Sequence, residues 1–450
     1  YLLAATGDRI DAQEEEQWLM RKVQETEQLM MNNKLVSKKA EFPESSTETK
    51  TIRFRQSNVH DFAWFADKRF HVLKDRVQLP HTSRGVDTWV FFTDNEASLW
   101  KKSLEYINDA TLYYSYMIGD YPYNHVTAID GVIAAGGGME YPNITVIGES
   151  GNDFTLETTI MHEVGHNWFY GILGTNERDF PALDEGLNSL YEMRYIKAKY
   201  PEKTLASYIG KDSTFKFLGL NKFKHEESYR LAYLLAATRN TDQAIANEAP
   251  AFTSYNYGAI VYSKTAVVFN YLLNSVGADR FDEAMRFYFE NWKFKHPNSA
   301  DLQNTLEYHC SIDMDWFIQD LILTNNKADF KIVKHKELAS GAHEVLVKNI
   351  GDVRGPVVLT AYFKGKTVGH VWYSGFDGTK KMEFPIAEVD KFEIDGLNCM
   401  PEINRQNNTL RTKGLFKKLE PLQLNFIAKI DDPRRTQINY MPIVGYNMYN

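Results

Sequence analysis

Apolar and polar residues alternate along TIRFRQ from Thr51, VHDFAWF follows from Val59, and TWVFFT from Thr88 repeats the alternation. A period of two predicts strands, because successive side chains of an extended chain point to opposite faces. From Asn95 to Ile118 the apolar positions move to three- and four-residue spacing, which predicts one long amphipathic helix. TAIDG and then IAAGGGMEYPNITVIG predict an apolar strand, a glycine turn and another strand. Helical periodicity resumes near Leu156, and again from Asn188 to Tyr200, from Ala259 to Ser275 and from Asp279 to Trp292. His296 and Pro297 break it, and DLQNTLEYH and DWFIQDLIL complete a helical block by about residue 325. After Asn326 the texture changes. FKIVKHKE, HEVLVKNI, VVLTAYF, TVGHVWYS, KKMEFPI and KFEIDG are short alternating segments separated by turn residues, and they predict a small all-β sandwich. The first forty residues are charged and helical in pattern, and from Cys399 onward the chain is polar and irregular, as a linker would be.

One predicted helix carries chemistry. HEVGHNWFYGILGTNERDFPALDEG opens with His-Glu-x-x-His, and Glu185 follows the second histidine with eighteen residues between. Residues four apart share a helix face, so His162 and His166 can offer two imidazoles to one metal ion. Glu163 lies about a hundred degrees round the helix, where it can reach a water at the metal without being a ligand. Glu185, on a second helix, supplies a third, carboxylate ligand. Three protein ligands and one open position are the layout of a catalytic zinc site, one ion per chain. Ile160, Met161, Val164, Trp168 and Phe169 make the motif helix a buried one, and buried histidines and glutamates need partners. Glu192 lies two turns beyond Glu185 on the same face and can orient a metal-bound histidine.

Composition narrows the setting. A chain of 450 residues has room for two or three domains, and a net charge of −8 argues against a nucleic-acid surface. Two cysteines, Cys310 and Cys399, exclude a disulfide framework and predict free thiols. No stretch approaches the roughly twenty apolar residues that a membrane span needs. The chain opens at Tyr1 and stops in YNMYN, so both ends are expected to be cut points.

Four separately placed motifs, in order, resemble the gluzincin zinc aminopeptidases of the aminopeptidase N and leukotriene-A hydrolase type. They are the zinc motif continued as His166-Asn167-Trp168, Glu185 within DEG, GGMEY from Gly137 to Tyr141, and VYSKTAVVFNYLL from Val261. The resemblance covers roughly residues 55 to 325. It implies an α+β fold with a thermolysin-like catalytic domain over 83–326, preceded by a remnant of an N-terminal β-domain over 1–82. A small β-sandwich over 327–400 and an irregular linker over 401–450, leading to a missing C-terminal part, complete the expected order. It further implies a zinc metallopeptidase acting on peptide substrates. Glu163 would be the general base, Glu140 the anchor of the substrate's α-amine, and Gly137, Gly138 and Met139 the open segment beside it. Tyr262 would stabilise the oxyanion, with Tyr257 assisting, while Asn167 and Trp168 pack the helix. The sequence departs from the pattern at Tyr141 and Asp184, where the family has asparagines. A zinc endopeptidase with an open cleft, a lipid epoxide hydrolase and a non-catalytic peptide-binding protein are the competing readings.

Overall fold

The strands β1 (Leu2–Ala5), β2 (Asp8–Ile10), β3 (Arg53–Arg55) and β4 (Trp64–Asp67) form two antiparallel pairs, β1 with β4 and β2 with β3. A five-stranded sheet follows, built from β5 (His71–Gln78), β6 (Gly85–Phe92), β7 (His125–Asp130), β8 (Gly138–Met139) and β9 (Ile144–Ile147). Its order is β5-β6-β7-β9-β8; β6, β7 and β9 run parallel, and the two edge strands are antiparallel to their neighbours. β9 is buried at every position and β7 at four of its six, as interior strands covered on both faces are. This computed structural model describes residues 1–10, 13–39, 41–133, 136–206, 219–414, 417–418, 423–425 and 437–440.

The charged N-terminal segment forms the helix Gln13–Met31, and its apolar side is not left open. Leu19 and Val23 join Val72, Phe91, Ile144 and Val146 of the sheet in one apolar cluster. The helices Ser103–Met117 and Asp153–Gly165 also pack on the sheet. The single helix expected from Asn95 to Ile118 is broken. A short helix, Ala97–Trp100, stops before Ser103, whose hydroxyl donates to the Trp100 carbonyl at 2.5 Å. That side-chain bond takes a carbonyl that a continuous helix would use, and Trp100 turns fully into the core.

The chain divides into two compact units. The first takes Tyr1–Pro201 and Asp279–His309; the second takes Glu202–Ala206 and the described residues 219–278 and from 310 onward. In the first unit the returning segment carries the helix Ala278–Trp292, which begins one residue before it, and closes over the loop that follows the motif helix. Arg194 pairs with both carboxylate oxygens of Asp282 at 2.6 and 2.7 Å, and Gly174 N donates to Lys295 O at 2.9 Å.

The second unit contains the helix Glu226–Ala237, absent from the sequence reading, and a helical run from Ser254 to Val276. Eight residues of that run, Tyr257–Lys264, are wound as a π-helix. Beyond it, β10 (Phe330–Glu337), β11 (His343–Asn349) and β14 (Thr379–Phe384) form one antiparallel sheet. β12 (Val357–Phe363), β13 (Lys366–Tyr373) and β15 (Lys391–Ile394) form most of another. All six expected strands are present, and the rings of Phe384 and Phe392 meet between the sheets at 5.6 Å. A further strand, β16 (Thr409–Arg411), pairs with β15 in the region expected to be irregular. Both cysteines are buried thiols outside any disulfide.

Candidate active site

The Asn152 side chain accepts a hydrogen bond from Thr155 N at 3.0 Å and caps the motif helix, which therefore starts at Asp153, ahead of Leu156. His162 and His166 stand one turn apart at its far end, and His166 is the residue at which it stops. Gly165 lies between them because nothing larger fits. A Cβ there would come within 2.1 Å of Asn188 Oδ1 and 2.2 Å of the Tyr114 hydroxyl. The helix Glu185–Lys199 approaches through that gap, and Asn188 Nδ2 donates to His162 O at 2.7 Å. Its first residue, Glu185, is thereby set opposite both imidazoles. Asn167 and Trp168 support the turn beyond: Asn167 Oδ1 accepts from Asn143 N at 3.0 Å, and Trp168 Nε1 donates to Gly119 O at 2.8 Å.

Three ligand atoms converge. His162 Nε2 lies 3.1 Å from Glu185 Oε2, His166 Nε2 lies 3.2 Å from the same oxygen, and the two Nε2 atoms are 3.2 Å apart. The other nitrogen of each ring is already engaged. His162 Nδ1 sits 3.0 Å from Glu192 Oε2, and His166 Nδ1 sits 2.6 Å from Asp184 Oδ1. In the tautomer that puts the ring protons on Nδ1, donated to those carboxylates, both Nε2 lone pairs and a carboxylate oxygen form one triangle of ligand atoms. A cation resolves that triangle. Ligand arms of about 2.0–2.1 Å in tetrahedral array place their ends about 3.3 Å apart, close to the three separations observed. His162, His166 and Glu185 could therefore hold a metal ion, and the donor set fits zinc.

Glu163 is buried beside this triangle, and its Oε2 has no hydrogen-bond partner among the described residues. Burial pushes its carboxyl up to about 7, against the pull of His162 and His166. It reaches the edge strand β8, where a Cβ on Gly138 would lie 2.3 Å from Glu163 Cγ. Gly138 is thus a close-approach glycine, while Gly136 and Gly137 occupy left-handed backbone at φ 75° and 73°. Glu140 follows β8, and one of its oxygens lies within 4.8 Å of ligand atoms of His166 and Asp184. Glu177, whose carboxyl burial pushes upward, contacts Asp184 from the intervening loop.

Other expected residues lie elsewhere. Tyr257 and Tyr262 belong to the second unit, on its π-helix, with ring centroids 6.1 Å apart. Asp184 entered the sequence reading only as a departure from a motif, yet it bonds a candidate ligand directly. The signal was its charge, since an acidic residue beside a metal-ligating glutamate can reach the histidine that glutamate faces.

Residues 102–321 match the Peptidase family M1 domain. The chain carries an M1 peptidase domain. This is the group that its four motifs resemble, and its members are zinc-dependent metallopeptidases. Over 162 residues the chain is 22% identical to glutamyl aminopeptidase of Rattus norvegicus, covering 36% of this chain and 16% of that protein. Over 158 residues it is 22% identical to endoplasmic reticulum aminopeptidase 1 of the same species, covering 35% of this chain and 15% of that one. Among solved structures it resembles Legionella pneumophila aminopeptidase A, crystallised in complex with aspartic acid. That similarity has a TM-score of 0.58 at 12% identity, over 76% of this chain and 39% of the other, and it speaks for the fold. The matches thus span less than half the length of each relative. Among the described residues no helix is long and apolar enough to cross a membrane.

Proposed function

We propose that this M1 domain works as a zinc aminopeptidase, releasing single residues from the free N-termini of peptides. The observation that carries the proposal is the triangle of candidate ligand atoms on His162, His166 and Glu185, with one carboxylate, Glu163, at its side and another, Glu140, within reach. Zinc held there would supply a Lewis acid for the scissile carbonyl and lower the pKa of a water to about 7. Glu163 takes the proton of the attacking water and returns it to the leaving amine. Glu140 holds the substrate's α-ammonium, which fixes the cut one residue from the end. Gly137, Gly138 and Met139 receive the substrate backbone; β8 is the last strand of its sheet, and an edge strand offers free donors and acceptors. Tyr262 stabilises the oxyanion and Tyr257 assists it, a reading that rests on the tyrosine segment's resemblance to the family. The aminopeptidase relatives support the exopeptidase assignment.

The direct test is one peptide supplied with a free and with an acetylated N-terminus, its products read by mass spectrometry with and without a chelator. Chelator-sensitive loss of single residues from the free form alone is expected. Cleavage of both forms would mean an open-cleft endopeptidase, and binding without cleavage would mean a peptide-binding protein.

Gly138→Ala tests the close approach of strand and base. A methyl group 2.3 Å from Glu163 Cγ cannot be accommodated, so the glutamate must rotate away. A kcat at least tenfold lower is expected with metal content unchanged. A fully active variant would mean that Glu163 does not need its place against β8.

A further inference from the structure

The π-helix of the second unit is tied at both ends to one short stretch of chain. Hydrogen bonding at i→i+5 is rare in proteins and usually lasts a single turn, so eight residues of it need outside support. Thr241, Asp242 and Gln243 provide that support.

At the N-terminal end, Gln243 Oε1 accepts from Thr253 N at 3.1 Å and from Asn256 Nδ2 at 2.9 Å, while Gln243 Nε2 donates to Ala251 O at 2.7 Å. Asn256 Nδ2 also donates to Thr241 O at 2.7 Å, and Asn256 is the residue just before the π-helix. At the C-terminal end, Lys264 is the last residue of the π-helix. Its ammonium donates to Gln243 O at 3.1 Å and to Asp242 Oδ2 at 3.4 Å. Asp242 is held in turn by Lys327, 2.6 Å from its other oxygen.

Lys264 is fully buried, and burial pushes its ammonium down to about 8 although Asp242 pulls it back. A desolvated lysine is costly to keep, and a methionine would fill the same space with no charge. The position therefore calls for a purpose beyond packing. Two residues before it stands Tyr262.

We propose that Lys264 and Gln243, joined through Asp242, are positioning residues that hold the π-helix in the winding that presents the Tyr262 hydroxyl for catalysis. The proposal rests on the reading of Tyr262 as the oxyanion-stabilising residue. In an α-helical winding each residue turns about 100° from the last, and in the wider π form it turns less, so loss of the clamp would rotate Tyr262 away from its direction. Lys264 and Gln243 touch no substrate in this account.

The test uses the full chain, with kcat and KM measured on a free-N-terminus peptide and folding followed by thermal melting. Lys264→Met and Gln243→Ala are each made in the native background and in Tyr262→Phe; the first leaves Asp242 paired with Lys327. Each is expected to lower kcat about tenfold or more, to leave KM within about twofold, and to add no further loss to Tyr262→Phe. A residue that merely stabilises the fold would lower activity by the same factor in both backgrounds, and that result would overturn the proposal. So would an unchanged kcat in a folded clamp variant. Should Lys264→Met fail to fold, Gln243→Ala alone decides by the same criteria. Full kcat in Tyr262→Phe itself would remove the oxyanion reading, and the clamp with it, which separates that failure from the clamp's own.

Discussion

Glu163→Gln is expected to lower kcat about a thousandfold while one zinc ion per chain is retained. The substitution keeps the shape that fits against Gly138 and removes only the ability to take and return a proton. General acid–base catalysis contributes about 100- to 10,000-fold, so a thousandfold loss corresponds to about 4 kcal/mol of transition-state stabilisation. Among the described residues Glu163 Oε2 accepts no hydrogen bond, so the neutral amide strips no protein donor of a partner. Steady-state rates on a free-N-terminus peptide, alongside zinc by atomic absorption, make the comparison. Retention of more than a tenth of native activity would place the base elsewhere.

The second large effect concerns the metal itself. Glu185→Ala leaves two imidazoles facing each other at 3.2 Å with no carboxylate to complete the set. Zinc should then be lost on dialysis, and activity with it. The cleaner readout is thermal. A ligand that binds only the folded state stabilises it by RT ln(1 + [L]/Kd), so chelation should lower the native melting temperature and leave that of Glu185→Ala unmoved. Asp184→Asn is the graded control. It introduces the asparagine of the resembling family and keeps an acceptor for His166 Nδ1 while removing the charge, and outer partners of this kind are worth about 10- to 100-fold in metal affinity. Equal zinc retention by Glu185→Ala and the native chain would refute the ligand assignment.

These predictions draw unequally on sequence and structure. The motif helix was legible because metal ligation imposes a spacing, His162 to His166, that coincides with helical periodicity and stands out from a buried apolar run. The strands from Phe330 to Ile394 were legible because a period of two survives even in short segments. The helix Glu226–Ala237 escaped because its buried face includes Glu227 and Arg230, which interrupt the apolar stripe by which a helix announces itself. Arg230 is accommodated there by Met400 O and Asp395, far along the chain, and no local pattern carries that information. Asp184 and Glu192 divide on the same principle. Glu192 lies at helical spacing from Glu185 and could be anticipated, whereas the bond from Asp184 to His166 depends on how the seventeen residues between them return. The π-helix was invisible for a different reason: its hydrogen bonds depend on ties to Thr241–Gln243, while its composition suits an ordinary helix.

The route of the chain through its two units bears on how the protein is made. The segment from Asp279 to His309 belongs to the unit begun at Tyr1, yet the ribosome delivers it only after all of 202–278. Until then Arg194 has no Asp282, and the loop from Gly171 to Thr175 has no Lys295 against which to close. The nascent protein must carry an unfinished metal-motif unit through a long stretch of synthesis, with apolar surface open to aggregation. Expression of residues 1–201 alone would freeze the chain at that vulnerable stage, and a soluble fragment would need the later segment grafted back by a short linker.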